Sequence, residues 1–114
     1  MKLNIIVDGR TNAFEVPDAL LSEASDFFEQ MNAYMDKGWQ MSRDWVDKPD
    51  AEQRCQIAAD KILGAIENEN EKLLMLMVAF ILRTMPGVRG VNIDITGDMN
   101  ETDIIMAMEN TGKP

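Results

Sequence analysis

Leu73-Leu74-Met75-Leu76-Met77-Val78-Ala79-Phe80-Ile81-Leu82 carries no polar side chain at any position. A helix with that composition is apolar on every face. It ends at Arg83, far short of the roughly twenty residues a bilayer crossing demands. The segment therefore reads as a central buried helix that other elements must cover on all sides. The cover on offer looks thin for 114 residues, and an exposed apolar surface of this size is commonly closed by a second copy. A homodimer is the expectation.

Beyond this helix, Met85-Pro86-Gly87-Val88-Arg89-Gly90 is a stop and turn, and Val91, Ile93 and Ile95 alternate with Asn92 and Asp94 as a third strand. The glycines beside Arg89 follow a helix and enter a strand, the reverse of a phosphate-binding loop. Asp98 and Glu101 have capping-box spacing, so a short helix is expected, with Ile104, Ile105 and Met108 inward and a stop near Asn110 or Gly112. The same stretch is a near miss to a calcium loop: Asp98, Asn100 and Glu109 fall on liganding positions, but Asp103 stands where a sharp turn needs Gly. Those three are the metal-ligand candidates.

Upstream, Asn68-Glu69-Asn70-Glu71 interrupts the apolar stripe, and the expected reading is a break in which Asn68 caps the next helix with Glu71 three residues on. The helix before the break starts at Asp47-Lys48-Pro49, with a stripe of Ala51, Cys55, Ala59, Ile62 and Ile66. Cys55 lies on that stripe and reads as a small core side chain.

Before it, an apolar face recurs at helical spacing from Leu20 through Phe27, Phe28, Met31, Tyr34, Met35 and Trp39 to Trp45 and Val46, and its phase does not reset at Gly38. One helix over 17–46 is expected, with a break at Gly38 as the rival. Unbroken, it measures about 45 Å against roughly 35 Å for a domain of this size, so one end should project. That end carries Tyr34, Trp39, Met41 and Trp45, types enriched at protein interfaces, which makes these four the partner-binding candidates. At the start of the chain, Leu3, Ile5 and Val7 alternate with polar neighbours, Asp8-Gly9 supplies a turn, and Phe14 and Val16 resume the alternation as a β-hairpin. A two-residue loop pairs Val7 with Arg10 and Leu3 with Phe14. The resulting fold class is α+β in the order ββαααβα, a small sheet packed on a layer of long helices in a single domain.

Composition narrows the chemistry. There is no histidine and one cysteine, which removes the commonest catalytic bases, nucleophiles and transition-metal ligands. Ten methionines are core filler or adaptable surface rather than a copper site, and no cofactor is expected. With 20 acidic and 11 basic residues the formal charge is −9, which disfavours nucleic acid and anionic membranes as partners. The unpaired cysteine and the lack of a signal-like apolar run point to a cytoplasmic setting. An enzyme would have to work through carboxylates such as Asp94, Asp98 and Glu69, and no pair is singled out. The reading is a protein-interaction module that docks through its aromatic and Met-rich helical face, with an acidic rim to steer a basic partner.

Overall fold

A computed structural model describes residues 1–107. The fold is mixed α+β, with a four-stranded sheet, a separate two-stranded hairpin and four helices. Strands β1 (Lys2–Val7) and β2 (Arg10–Glu15) form the expected hairpin. Its register pairs Val7 with Arg10 and Leu3 with Phe14. Asp8 and Gly9 both adopt positive φ, 52° and 78°, as a turn that follows the twist of its strands requires.

The chain then departs from the expected long helix. It makes α1 (Asp18–Glu23) and α2 (Ser25–Met35), kinked at Ala24, and leaves the helical path at Gly38, where φ is +103°. Strands β3 (Trp39–Met41) and β4 (Asp44–Val46) follow, joined by a two-residue turn at Ser42-Arg43. The single helix over 17–46 is thus corrected in favour of the break at Gly38. Trp39, Trp45 and Val46 are strand formers, and two positive-φ residues, Gly38 and Ser42, override a periodicity that happens to continue. No 45 Å rod remains to project, because the molecule measures 39 × 32 × 27 Å.

Helix α3 (Ala51–Glu67) opens on a capping box, in which the Asp50 carboxylate accepts from the Gln53 amide and the Gln53 side chain accepts from the Asp50 amide. Helix α4 (Glu71–Thr84) holds the apolar run. The break between them falls where expected, but Asn70 caps α4 by accepting from the Leu73 amide, while Asn68 closes α3. Glu69 sits at the corner with φ +55°, exposed. On α3 the buried face includes Cys55, Ala58, Ala59, Ile62 and Ala65, so Ala51 and Ile66 of the expected stripe lie outside it.

Strand β5 (Val88–Ile93) enters the sheet parallel to β1, and β6 (Asp103–Met106) pairs antiparallel with β5, giving the order β2-β1-β5-β6. Ile95, placed on the third strand by alternation, lies beyond its end and is exposed. The helix expected after Asp98 is replaced by a single 3-10 turn (Met99–Glu101) and by β6. Asp98 does cap that turn, but the β-branched pair Ile104-Ile105 completes the open edge of β5 instead of continuing a helix. Met108, Asn110 and Gly112 lie outside the described residues.

One buried cluster joins Leu3, Ile5, Val91 and Ile93 of the sheet to Phe28, Ile62, Met77, Phe80 and Ile81 of the helices. Helix α4 is covered by α3, by α1 and by Phe28 of α2, whose ring meets Phe80 edge-on at 5.9 Å. Leu73, Met75 and Leu76 remain half-buried at its margin. The chain therefore covers its own apolar helix, and the argument for a second copy from thin cover does not survive. Among the described residues no helix is long and apolar enough to cross a membrane.

Candidate functional site

The four residues expected to bind a partner are brought to one corner of the molecule but divided by the β3–β4 hairpin. Alternation along two short strands gives it two faces. Trp39, Met41 and Val46 turn inward against the core, with Met41 fully buried and Trp39 half-buried. Gln40 and Trp45 turn outward. Met41 is therefore a core residue and leaves the candidate set.

Tyr34 and Trp45 are each 58% exposed, unusual for aromatic side chains that could have been buried. The Trp45 ring lies over Gly38, and its indole N–H donates to the Asp47 carboxylate at 2.9 Å. Beside this hairpin is a hollow of about 230 Å³ lined by Met31, Tyr34, Met35, Trp39 and Lys61. Its walls are almost wholly apolar apart from the lysine.

Charge at this corner runs against the chain's average. Lys61 holds its ammonium 5.2 Å from the centre of the Trp39 ring and Lys37 lies 6.0 Å from that of Tyr34, both within cation–π range. Of the neighbouring carboxylates, Asp36 pairs with Arg54 at 2.6 Å and Asp47 accepts from the Trp45 indole, while Asp44 and Asp60 are exposed. Arg54 beside it holds Asp36 below its ordinary carboxylate pKa. Lys37 and Lys61 form no ion pair among the described residues. The ammonium groups of Lys37 and Lys61 thus lie directly against the aromatic rings, within the acidic rim that composition suggested. Sequence reasoning passed over both lysines. Tyr34 and Lys37 are one helical turn apart and were legible as a pair, whereas Lys61 reaches Trp39 only through tertiary packing.

The carboxylate candidates do not gather. Asp94 folds its own loop, accepting from the amides of Thr96 and Asp98 at 3.0 Å each and from the Thr96 hydroxyl at 2.8 Å. These bonds, the Asp98 amide foremost, hold its carboxyl below the ordinary 3.8. Asp98 accepts from the amide and side chain of Asn100, and Asn100 in turn donates to the Met41 carbonyl. Ser42 bridges the same loop by donating to Gly97 O and accepting from the Met99 amide. Buried Gln56 donates to the carbonyls of Asn100 and Thr102. Asp94 and Asp98 are thus loop-building groups that fasten β5–β6 to the β3–β4 turn. Glu69 lines a different hollow, with Asn12, Phe14 and Ile66. Of the metal-ligand candidates, Asp98 and Asn100 bond to each other and Glu109 lies outside the described residues. Among the described residues no three acidic or cysteine side chains converge on a point. Cys55 is fully buried and its thiol is pushed up to about 12 by desolvation, with Glu52 adding to the shift, which leaves it unreactive as a nucleophile.

The Asp94 loop carries a testable pH dependence. Its folded-state pKa is depressed, so its contribution to stability is present above the unfolded value of 3.8 and is lost as pH falls through the folded value. A carboxyl-detected NMR titration is expected to place the Asp94 midpoint below 3.8. Asp94→Asn should weaken protection of the Thr96 and Asp98 amides at neutral pH. A midpoint at or above 3.8 would contradict the bonding described.

Compared with protein-family models, with curated proteins and with solved structures, the chain matches none.

Proposed function

We propose that this chain is a protein-interaction module, and that its docking surface is the corner that holds the 230 Å³ hollow lined by Tyr34 and Trp39, with Trp45 on the outer face of the adjoining hairpin. The observation that carries this reading is the exposure of Tyr34 and Trp45 beside an apolar hollow whose edge bears lysines that form no ion pair among the described residues. Aromatic anchors next to a water-excluding pocket are where binding energy concentrates at interfaces. Lys37 and Lys61 select the chemistry of the occupant. It is a protein segment with an apolar side chain for the hollow and carboxylates to either side, the charge complement of this edge. A cytoplasmic setting suits the single reduced cysteine.

Selection from a random peptide library is the direct test. Enriched sequences are expected to pair an aromatic or aliphatic residue with Asp or Glu. Their affinity should fall at least tenfold with Trp45→Ala or Tyr34→Ala, and severalfold with Lys61→Gln. Both aromatic variants should melt close to the parent, because exposed positions contribute about 0.5 kcal/mol or less to folding. Enrichment of peptides that bind the Trp45→Ala protein equally well would remove the surface from consideration. Concentration-dependent sedimentation abolished by Trp45→Ala would instead make a second copy of the chain the occupant.

A further inference from the structure

At the opposite end of α2 from the aromatic corner, the chain holds an arginine in a way none of its other arginines is held. Arg83, in the last turn of α4, donates from Nη1 to the Leu21 carbonyl at 2.9 Å and to the Ser25 hydroxyl at 2.9 Å. Its guanidinium carbon stands 5.5 Å from the centre of the Phe28 ring. Two hydrogen bonds from Nη1 and the neighbouring ring orient the group. Yet Nε and Nη2 make no hydrogen bond or ion pair among the described residues.

Arg54 shows what complete engagement looks like in this chain. Its Nε donates to the Pro49 carbonyl, Nη1 to Asn32, and Nη2 to the Asp36 carboxylate. Arg83 is exposed and held through Nη1 alone, and it pairs with no carboxylate among the described residues, in a chain where acids outnumber bases 20 to 11. Another cationic group at the same place, the Met1 ammonium, is taken by Glu15, Asp18 and the Val16 carbonyl.

Arg83 lines an open hollow of about 520 Å³, where Met1, Leu21, Leu82 and Pro86 supply apolar wall and Ser25 a hydroxyl. That size is within the range of small-molecule sites. A guanidinium presents two parallel N–H groups that match a carboxylate, and the surrounding wall suits hydrocarbon. A phosphate would need donors for three oxygens, more than one half-free fork supplies.

We infer that this hollow binds small apolar carboxylic acids, with the free edge of Arg83 taking the carboxylate and Leu21, Leu82 and Pro86 taking the chain. The site is separate from the aromatic corner and does not depend on what binds there.

Octanoate, octanamide and octylamine titrated into the full chain, followed by amide NMR, form the test. Octanoate is expected to give saturable shifts at Ser22, Ser25 and Gly87 at millimolar concentration. The uncharged amide should bind at least tenfold more weakly and the amine not at all. Arg83→Gln should reduce octanoate binding at least tenfold, and Arg83→Lys, which keeps the charge but not the fork, by a smaller factor. Equal binding of octanoate and octanamide, or the absence of saturable octanoate shifts, would overturn the inference. The comparison of the three ligands uses the unaltered protein, so it decides the matter even if Arg83→Gln fails to fold.

Discussion

Phe80→Ala is expected to destabilise the chain by about 4 kcal/mol, the range found when a buried aromatic ring is removed and its space is not refilled. Phe80 is 1% exposed and lies in the middle of α4. It sits in the buried cluster with sheet and helix residues, and its ring meets Phe28 at 62°. Closing the resulting cavity would require α2 and α4 to approach each other, yet α2 is also anchored at its start by the bond from Arg83 to Ser25. A domain of this size has about 5–15 kcal/mol in total, so the variant should be marginal. Urea unfolding is the measurement, with the midpoint expected to fall by about half and the slope to stay unchanged. Tyr34→Ala is the control, since that ring is 58% exposed. A loss below about 1 kcal/mol for Phe80→Ala would mean that the helices and sheet do not share one core.

Gly38→Val is expected to cost about 2–3 kcal/mol and to displace the β3–β4 hairpin. Two effects coincide there. The backbone has φ +103°, a conformation that a β-branched residue adopts only under strain. A side chain at this position would also overlap the Trp45 ring. The ring is exposed and can swing away, whereas the backbone strain stays. Gly38→Ala made alone and in a Trp45→Ala background separates the two, because the overlap vanishes in the second case. Trp45 fluorescence in the single variant should shift toward that of a fully hydrated indole. Equal stability of Gly38→Ala and the parent would contradict the left-handed turn on which the hairpin depends.

Gly38 also marks the boundary of what the sequence made legible. Local signals with a steric cause were readable: the Asp8-Gly9 turn and its register, the interruption near Asn68 to Asn70, and the burial of the run from Leu73 to Leu82. Periodicity without a stop signal was not. Leu20 to Val46 kept a helical phase by coincidence, and only the conformation of Gly38 and Ser42 turned the second half into strands. The Asp98 cap was readable, but whether the chain coiled or extended afterwards was set by an unpaired edge on β5, which is a tertiary fact. At the candidate site, Tyr34, Trp39, Met41 and Trp45 were singled out by residue type and by a projecting helix end that does not form. The hollow lined by Tyr34 and Trp39, the placement of Lys61 and the burial of Met41 depend on how α2, α3 and the hairpin meet.

The sheet joins β1, at the start of the chain, to β5, near its end, and every helix lies between them in sequence. This connection bears on the order in which a growing chain can fold. The β1–β2 hairpin leaves the ribosome before the helices and can close within microseconds, but the inner edge of β1 stays open until α3, α4 and β5 have all been made. During that interval Ile5 lacks its β5 neighbour Val91, and Leu3 and Ile5 lack their helical cover. Contacts so distant in sequence slow folding, and an unpaired strand edge invites pairing with other nascent chains. Synthesis halted before Val88 should therefore give an aggregation-prone fragment, and the last strands act as the step that commits the whole sheet.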